Sequence, residues 1–198
     1  WWRYIWGMLR GDLGWSWKFS EPVSRLLQRE LPFSAAIAVP GLAAGALWGV
    51  AVGLWSGSGS GRGAHFVAFC NNLVLSLPLY MLALAVLWVL GFWLKVVPAG
   101  EVSGYQGSFL PVVAIALWVG AGVARVTQDS VHEETHKPYV RTAISKGCGP
   151  VRVLGYHILR NAAGSIAGYL AVQLGHLLTG MVLIESIFGR PGLGRLFL

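Results

Sequence analysis

Four long runs of hydrophobic residues are separated by more polar stretches along the chain. The runs cover about 33–55, 66–94, 109–126 and 161–188. At a helical rise of 1.5 Å per residue the first run alone is about 33 Å long, which matches the hydrocarbon core of a bilayer. The pattern predicts an all-α membrane protein, a polytopic helical bundle with about four transmembrane helices.

The stretches between the runs predict the connections. Residues 1–32 mix aromatic and charged side chains, so we expect them outside the bilayer or at its surface. Residues 56–63 (SGSGSGRG) and 95–108 are predicted loops. Pro78 lies inside the second run and is expected to kink it. The longest polar stretch is 127–160, just before the fourth run.

Composition supports a membrane protein and predicts its orientation. Charged residues make up 12% of the chain and mean hydropathy is +0.61, whereas soluble domains average about 25% charged residues. The net charge of +7 does not indicate nucleic-acid binding, because the positive residues flank apolar runs and form no single patch. Positive residues in and next to the long polar stretch are Arg125, Lys137, Arg141, Lys146, Arg152 and Arg160. The positive-inside rule therefore predicts that 127–160 and 56–63 face the cytoplasm, and that 1–32, 95–108 and the C-terminal turn face outside.

Glycines recur every fourth residue in the first run, at Gly41, Gly45, Gly49 and Gly53. Small residues at this spacing lie on one face of a helix and let a second helix approach closely. We therefore predict a packing face. The alternative is that the stripe reflects only the general glycine content of the chain.

The pentapeptide HEETH, from His132 to His136, contains the H-E-x-x-H pattern of zinc metalloproteases. His132 and His136 would share a helix face and bind zinc, and Glu133 would act as general base. Such a site also needs a third ligand and a shielded pocket, and the sequence offers no convincing candidate for either. We expect a solvated helix end and no metal site, with the metalloprotease as a distant alternative.

A helix–glycine–helix elbow is predicted in 137–160. Pro138 can open a short amphipathic helix, in which Tyr139, Val140, Ala143 and Ile144 form an apolar face. Arg141, Thr142, Ser145 and Lys146 form the opposite face. Gly147, Gly149 and Pro150 should end this helix, and a second helix should begin near Val151 and enter the fourth run. An exposed basic elbow of this kind suits docking on a partner.

The elbow resembles the cytoplasmic E-A-A-x-x-x-G loop of ABC-importer permeases, specifically those of the dipeptide, oligopeptide and nickel family. Arg141, Thr142, Ala143 and Gly147 occupy the E, A, A and G positions, and the first two differ as in the peptide branch. Three further blocks are similar to segments of the same permeases and occur in the same order: Gly11–Val23, Val96–Gly100 and Glu185–Leu196.

This resemblance implies a fold of the type I ABC-importer permease kind, which has six helices, with this chain as a fragment that holds the second to the fifth. The implied partners are two P-loop ATPase subunits, a second homologous permease subunit, an external solute-binding protein and the bilayer of a prokaryotic inner membrane. Residues implied in coupling to the ATPase are Tyr139, Arg141, Thr142, Ala143, Lys146, Gly147 and Pro150. ATP and magnesium would belong to the ATPase, since this chain has no G-x-x-x-x-G-K-S/T motif and is not expected to be an enzyme or to hold a cofactor.

Polar residues inside the runs are candidates for the translocation path: Asn71, Asn72, Gln173 and His176. The alternative for each is a hydrogen bond to a neighbouring helix. Glu185, near the outer end of the fourth run, could mark a boundary or contact the substrate. We expect di- or oligopeptides as the substrate, with nickel or a metal chelate as the alternative.

Overall fold

A computed structural model describes residues 1–59, 61–96 and 105–197. Most of the predicted loop 95–108, together with most of the Val96–Gly100 block, lies outside these residues. The described chain is almost entirely helical.

The chain begins with helix α1 (Trp2–Leu9), followed by a short antiparallel hairpin of β1 (Trp15–Ser16) and β2 (Glu21–Pro22). The remaining helices are α2 (Val23–Ser58), α3 (Arg62–Leu75), α4 (Leu79–Trp93), α5 (Tyr105–Thr135), α6 (Pro138–Ser145) and α7 (Pro150–Ile187), with a final 3₁₀ turn at Gly194–Phe197. Leu87–Trp93 of α4 and Val153–Ile158 of α7 are π-helical.

The predicted all-α membrane architecture is confirmed. Among the described residues, α2, α5 and α7 are each long and apolar enough to cross a membrane. The second predicted span is different, because α3 and α4 meet at an angle of 107°. The predicted bend at Pro78 is therefore present, but it is a break between two helices and not a kink within one helix. Pro78 starts α4 in an extended conformation, and the residue before a proline is disfavoured in the helical region, so the chain breaks here.

The helices extend beyond the hydrophobic runs. α2 begins at Val23, although the run begins near 33, and α5 continues to Thr135 although its run ends near 126. The first turns of α2 carry polar residues, among them Arg29, which pairs with Glu21 at 3.0 Å. Hydropathy locates the part of a helix that suits the bilayer, and charged helical ends fall outside it.

α5 is the central helix. Ile115, Val119 and Val123 on it are completely buried, and they pack with side chains of α2, α4 and α7 in the main hydrophobic core. α2 lies along α5 over most of its length, and this is the most extensive helix–helix contact among the described residues.

The glycine stripe of α2 faces α5. A Cβ placed on Gly45 would lie 2.9 Å from the carbonyl oxygen of Ala116, and one on Gly49 would lie 2.5 Å from that of Gly120. Next to them, Trp48 Nε1 donates to the Ala116 carbonyl oxygen at 2.8 Å. The two backbones are therefore close enough that a side chain at these positions would meet the main chain of α5.

Glu185 lies at the end of α7 farthest from α6 and is completely buried. Its carboxylate accepts hydrogen bonds from the Ser34 hydroxyl at 2.5 Å and from the Arg195 backbone N–H at 3.1 Å. The Ser34 hydroxyl oxygen in turn accepts from the Leu193 N–H at 2.8 Å. Glu185 thus joins α2, α7 and the C-terminal turn, and it is enclosed by protein rather than open to a substrate.

Candidate functional site

The elbow has a small hydrophobic core of its own. Val140 and Ala143 of α6 are buried against Val131 of α5 and against Val153 and Ile158 of the π-helical turn in α7. Three segments that are separate in sequence therefore meet in one cluster at this end of the molecule.

α6 begins and ends where the local sequence predicts. Pro138 occupies its first turn, where a missing backbone N–H costs no helical hydrogen bond. Gly147 has a φ of +81°, a conformation that favours glycine. Its N–H donates to the Ile144 carbonyl oxygen at 2.9 Å, and the Cys148 N–H donates to that of Ala143 at 3.1 Å. These two bonds form a Schellman motif, which reverses the chain towards α7.

The outer surface of the elbow is basic with apolar residues beside the charges. Exposed residues on it are Arg141, Thr142, Ser145, Lys146, Gly147, Gly149 and Pro150. Ile144, which belongs to the predicted apolar face, is 58% exposed, so only part of that face is buried. α6 packs through Val140 and Ala143, and Ile144 lies at the edge of that contact. There it lines a groove of about 510 Å³ together with the exposed Val151.

Glu134 connects the elbow to both long helices through hydrogen bonds. It lies in the last turn of α5 and is only 9% exposed. Lys137 Nζ donates to Glu134 Oε1 at 2.5 Å, and the Tyr139 hydroxyl donates to Oε2 at 2.5 Å. Asn161 Nδ2 of α7 donates to the Tyr139 hydroxyl oxygen at 2.9 Å. The carboxylate therefore has a partner on each oxygen, and the bonds reach from α5 through α6 to α7.

The protonation states suit this network. Burial raises the pKa of the Tyr139 hydroxyl, and the hydrogen bond to Glu134 acts in the same direction, so the phenol stays protonated as a donor. The hydrogen bond to Glu134 raises the pKa of the Lys137 ammonium, which therefore stays charged.

His132 and His136 lie one turn apart at the end of α5, with ring centroids 5.0 Å apart. Nδ1 of His136 is bonded to the His132 carbonyl oxygen at 2.7 Å, and the Glu133 side chain is 75% exposed. Across 1–59, 61–96 and 105–197, no three His, Cys, Asp or Glu side chains are grouped so as to hold a metal ion. The pair is an exposed helix end without a third ligand in the described chain.

Comparison with known proteins identifies the chain. Residues 49–198, which include the whole elbow, match the family described as binding-protein-dependent transport system inner membrane component. The chain belongs to this family. The resemblance to ABC-importer permeases is thereby confirmed.

Curated relatives of this permease are transport proteins with peptide substrates in their names. It is 29% identical to the oligopeptide transport system permease protein of Haemophilus influenzae, over 98% of this chain and 65% of that protein. It is 30% identical to the glutathione transport system permease protein of Salmonella paratyphi A, and 29% identical to the dipeptide transport system permease protein of Bacillus subtilis. Each of these two alignments covers 98% of this chain and 64% of the relative. The permease sequence here thus spans just under two thirds of these relatives' length.

The four polar residues predicted for the translocation path occupy different environments in the permease. Asn71 is buried, and its Nδ2 donates to the Ala121 carbonyl oxygen of α5 at 2.9 Å. Gln173 is also buried, whereas Asn72 and His176 are exposed. Asn71 therefore makes the interhelical hydrogen bond of the alternative interpretation. Lining of a path stays a prediction for all four.

Glu134, and Asn161 which donates to the Tyr139 hydroxyl, are the site residues that sequence reasoning did not single out. The sequence contains one local signal for Glu134, a lysine three residues later, which is a spacing that allows an ion pair on a helix. The bond from Asn161 joins residues 22 positions apart and depends on how α6 packs against α7.

Proposed function

We propose that this permease is one of two membrane subunits of an ATP-driven importer that takes up di- or oligopeptides with the help of an external binding protein. The family description and the peptide names of the relatives support this proposal over nickel or a metal chelate. They also favour it over a membrane metalloprotease, for which the exposed His132–His136 pair provides two ligands, with no third His, Cys, Asp or Glu grouped with them in the described residues.

The partners in this proposal are two P-loop ATPase subunits, a second homologous permease subunit, the solute-binding protein and the lipid of a prokaryotic inner membrane. ATP and magnesium are bound by the ATPases. The positive-inside rule puts the elbow on the cytoplasmic side, where the ATPases would be.

The observation that carries the proposal is the geometry of the elbow. α6 is a short helix held on α5 and α7, and it exposes Arg141 and Lys146 next to Ile144 and Val151. A mixed basic and apolar surface of this kind suits docking in a groove of another protein. Closure of the ATPase pair would move α6, and the two long helices would follow as a rigid body between inward- and outward-facing states.

The polar residues that are candidates for the translocation path differ in how exposed they are. His176 lies on an exposed face of α7 together with Gly168 and Gly175, beside which an added Cβ would meet no atom within 4 Å. That face is available to the second permease subunit or to the path between the two subunits. Asn71 and Gln173 face inward in this chain and are weaker candidates.

The test uses alanine at the glycines of the elbow in the full-length protein within its complete transporter. Gly147→Ala places a side chain at a φ of +81°, which costs roughly 1–2 kcal/mol and distorts the turn after α6. Gly149→Ala is the matched control, because Gly149 has a φ of −66°. Neither new Cβ meets an atom within 4 Å.

We expect Gly147→Ala to reduce peptide uptake while membrane insertion is unchanged, and Gly149→Ala to behave like the unmodified protein. The measurements are uptake of a labelled peptide, and the amount of ATPase that copurifies in mild detergent. Equal uptake by both variants would contradict docking through the elbow. Failure of the unmodified protein to copurify with any P-loop ATPase would overturn the proposed function.

A further inference from the structure

The hydrogen bonds of Glu134 link the short helix α6 to the two long helices α5 and α7. Each of its carboxylate oxygens accepts a hydrogen bond at 2.5 Å, one from Lys137 at the start of α6 and one from Tyr139 in its first turn. Tyr139 is in turn bonded to Asn161 of α7. One buried carboxylate on α5 is therefore bonded directly to α6 and connected through Tyr139 to α7.

The remaining contacts of α6 are of a different kind. Its core contact rests on Val140 and Ala143, two small apolar side chains against Val131, Val153 and Ile158. Apolar packing is non-directional, so a small cluster of this kind tolerates sliding or rotation of an eight-residue helix at little cost. Hydrogen bonds weaken steeply with distance and angle, and those to a charged acceptor are the stronger ones. The directional contacts that fix α6 to α5 among the described residues centre on Glu134.

We propose that Glu134 is a positioning residue for energy coupling: it holds α6 in one orientation on α5 and α7, so that a displacement of α6 moves both long helices. This inference rests on the proposed function, since it is the ATPase that displaces α6. Without the Glu134–Tyr139 bond, α6 rocks on its apolar cluster, and part of each ATPase movement is lost before it reaches α5 and α7.

The neighbouring Glu133 provides a contrast. Its side chain is 75% exposed, and its one ion pair in the described chain is with Lys137 at 3.4 Å. The Glu134 side chain is 12% exposed and is bonded to Tyr139 as well. Both glutamates therefore pair with Lys137 at the start of α6, but only Glu134 is bonded to Tyr139 and, through it, connected to Asn161 of α7.

The experiment measures peptide transported per ATP hydrolysed by the complete transporter in proteoliposomes. The variants are Tyr139→Phe, Glu134→Leu, their combination, Glu134→Gln and the control Glu133→Gln. Tyr139→Phe removes a single hydroxyl and keeps the ring, so it preserves packing. It is the deciding variant if Glu134→Leu assembles poorly.

We expect Tyr139→Phe and Glu134→Leu each to lower transport per ATP by about five-fold or more while ATP hydrolysis continues. The combined variant should lose no more than Glu134→Leu alone, because both changes remove the same connection. Glu134→Gln, whose amide keeps one acceptor oxygen, should retain more coupling than Glu134→Leu. A loss of stability alone would reduce the amount of active transporter and leave this ratio unchanged.

A normal ratio in Tyr139→Phe would overturn the inference, as would an equal loss in Glu133→Gln. If the unmodified complex transports no peptide with ATP, the proposed function fails and this inference fails with it. If the unmodified complex is coupled and the Glu134 variants are coupled equally well, the proposed function stands and only the role of Glu134 is refuted.

Discussion

The close contact between α2 and α5 predicts that replacing Gly49 by alanine lowers the stability of the protein. Alanine at this position would bring a Cβ to 2.5 Å from the Gly120 carbonyl oxygen, 2.8 Å from Val123 Cβ and 3.0 Å from Gly120 Cα. Two of these three atoms belong to the backbone of α5 and cannot rotate away. Restoring an ordinary contact of 3.4 Å to the carbonyl oxygen requires a shift of 3.4 − 2.5 = 0.9 Å between the two helices.

A shift of this size disturbs the whole interface, because the helices touch at several glycines. A Cβ placed on Gly45 or Gly53 would lie 2.9 Å and 2.6 Å from the carbonyl oxygens of Ala116 and Ala124 on α5. Trp48 is bonded to Ala116 across the same interface. Overpacking of a well-packed contact costs about 1–3 kcal/mol. We expect Gly49→Ala to fall in the upper half of that range, since the obstacle is main chain.

Gly168→Ala on α7 is the matched control. Gly168 is also inside a long helix, but a Cβ there meets no atom within 4 Å. Alanine should therefore stabilise the helix by up to about 1 kcal/mol through its higher propensity. The same substitution thus has opposite signs at the two positions.

The assay is thermal denaturation of the purified permease in mild detergent, followed by size-exclusion chromatography of the protein that remains monodisperse after heating. Gly49→Ala should lower the midpoint and Gly168→Ala should leave it equal or higher. A midpoint for Gly49→Ala at or above that of Gly168→Ala would refute the close approach of α2 and α5.

Two further predictions concern the ends of the spanning helices. Glu185→Ala removes the acceptor for the Ser34 hydroxyl and the Arg195 N–H, so it should lower the stability by about 1–3 kcal/mol in the same denaturation assay. Adding Ser34→Ala to this variant should lower the stability little further, and fully additive losses would contradict a shared network. Trp17, which is 95% exposed in the turn between β1 and β2, should lie at the bilayer surface. With Cys70 and Cys148 replaced by alanine, a fluorophore on Trp17→Cys should be quenched by spin-labelled lipid in nanodiscs, and one on Val151→Cys in the elbow should not; equal quenching at both sites would contradict this prediction.

Local chemistry in the sequence was sufficient to predict several parts of this protein. The four apolar runs predicted an all-α membrane protein because a bilayer accepts only segments that are long, apolar and internally hydrogen-bonded. Pro138 and Gly147 predicted the bounds of α6, because helix ends depend on φ and on hydrogen bonds within a few residues. The motif around Arg141–Gly147 indicated the family, and residues 49–198 belong to it.

Only the tertiary structure decided which polar residues are buried and which residues they are hydrogen-bonded to. The sequence does not distinguish Glu133 from Glu134, because both are glutamates near one helix end, and packing alone buries the second and exposes the first. The exposure of Ile144 could not be predicted from the sequence either, because it depends on which side chains of α6 reach α5. The hydrogen bond between Ser34 and Glu185 joins residues 151 positions apart, beyond the reach of any local pattern. The physical reason is that burial and directional bonding are properties of elements packed together, whereas helix formation and membrane affinity are properties of a segment.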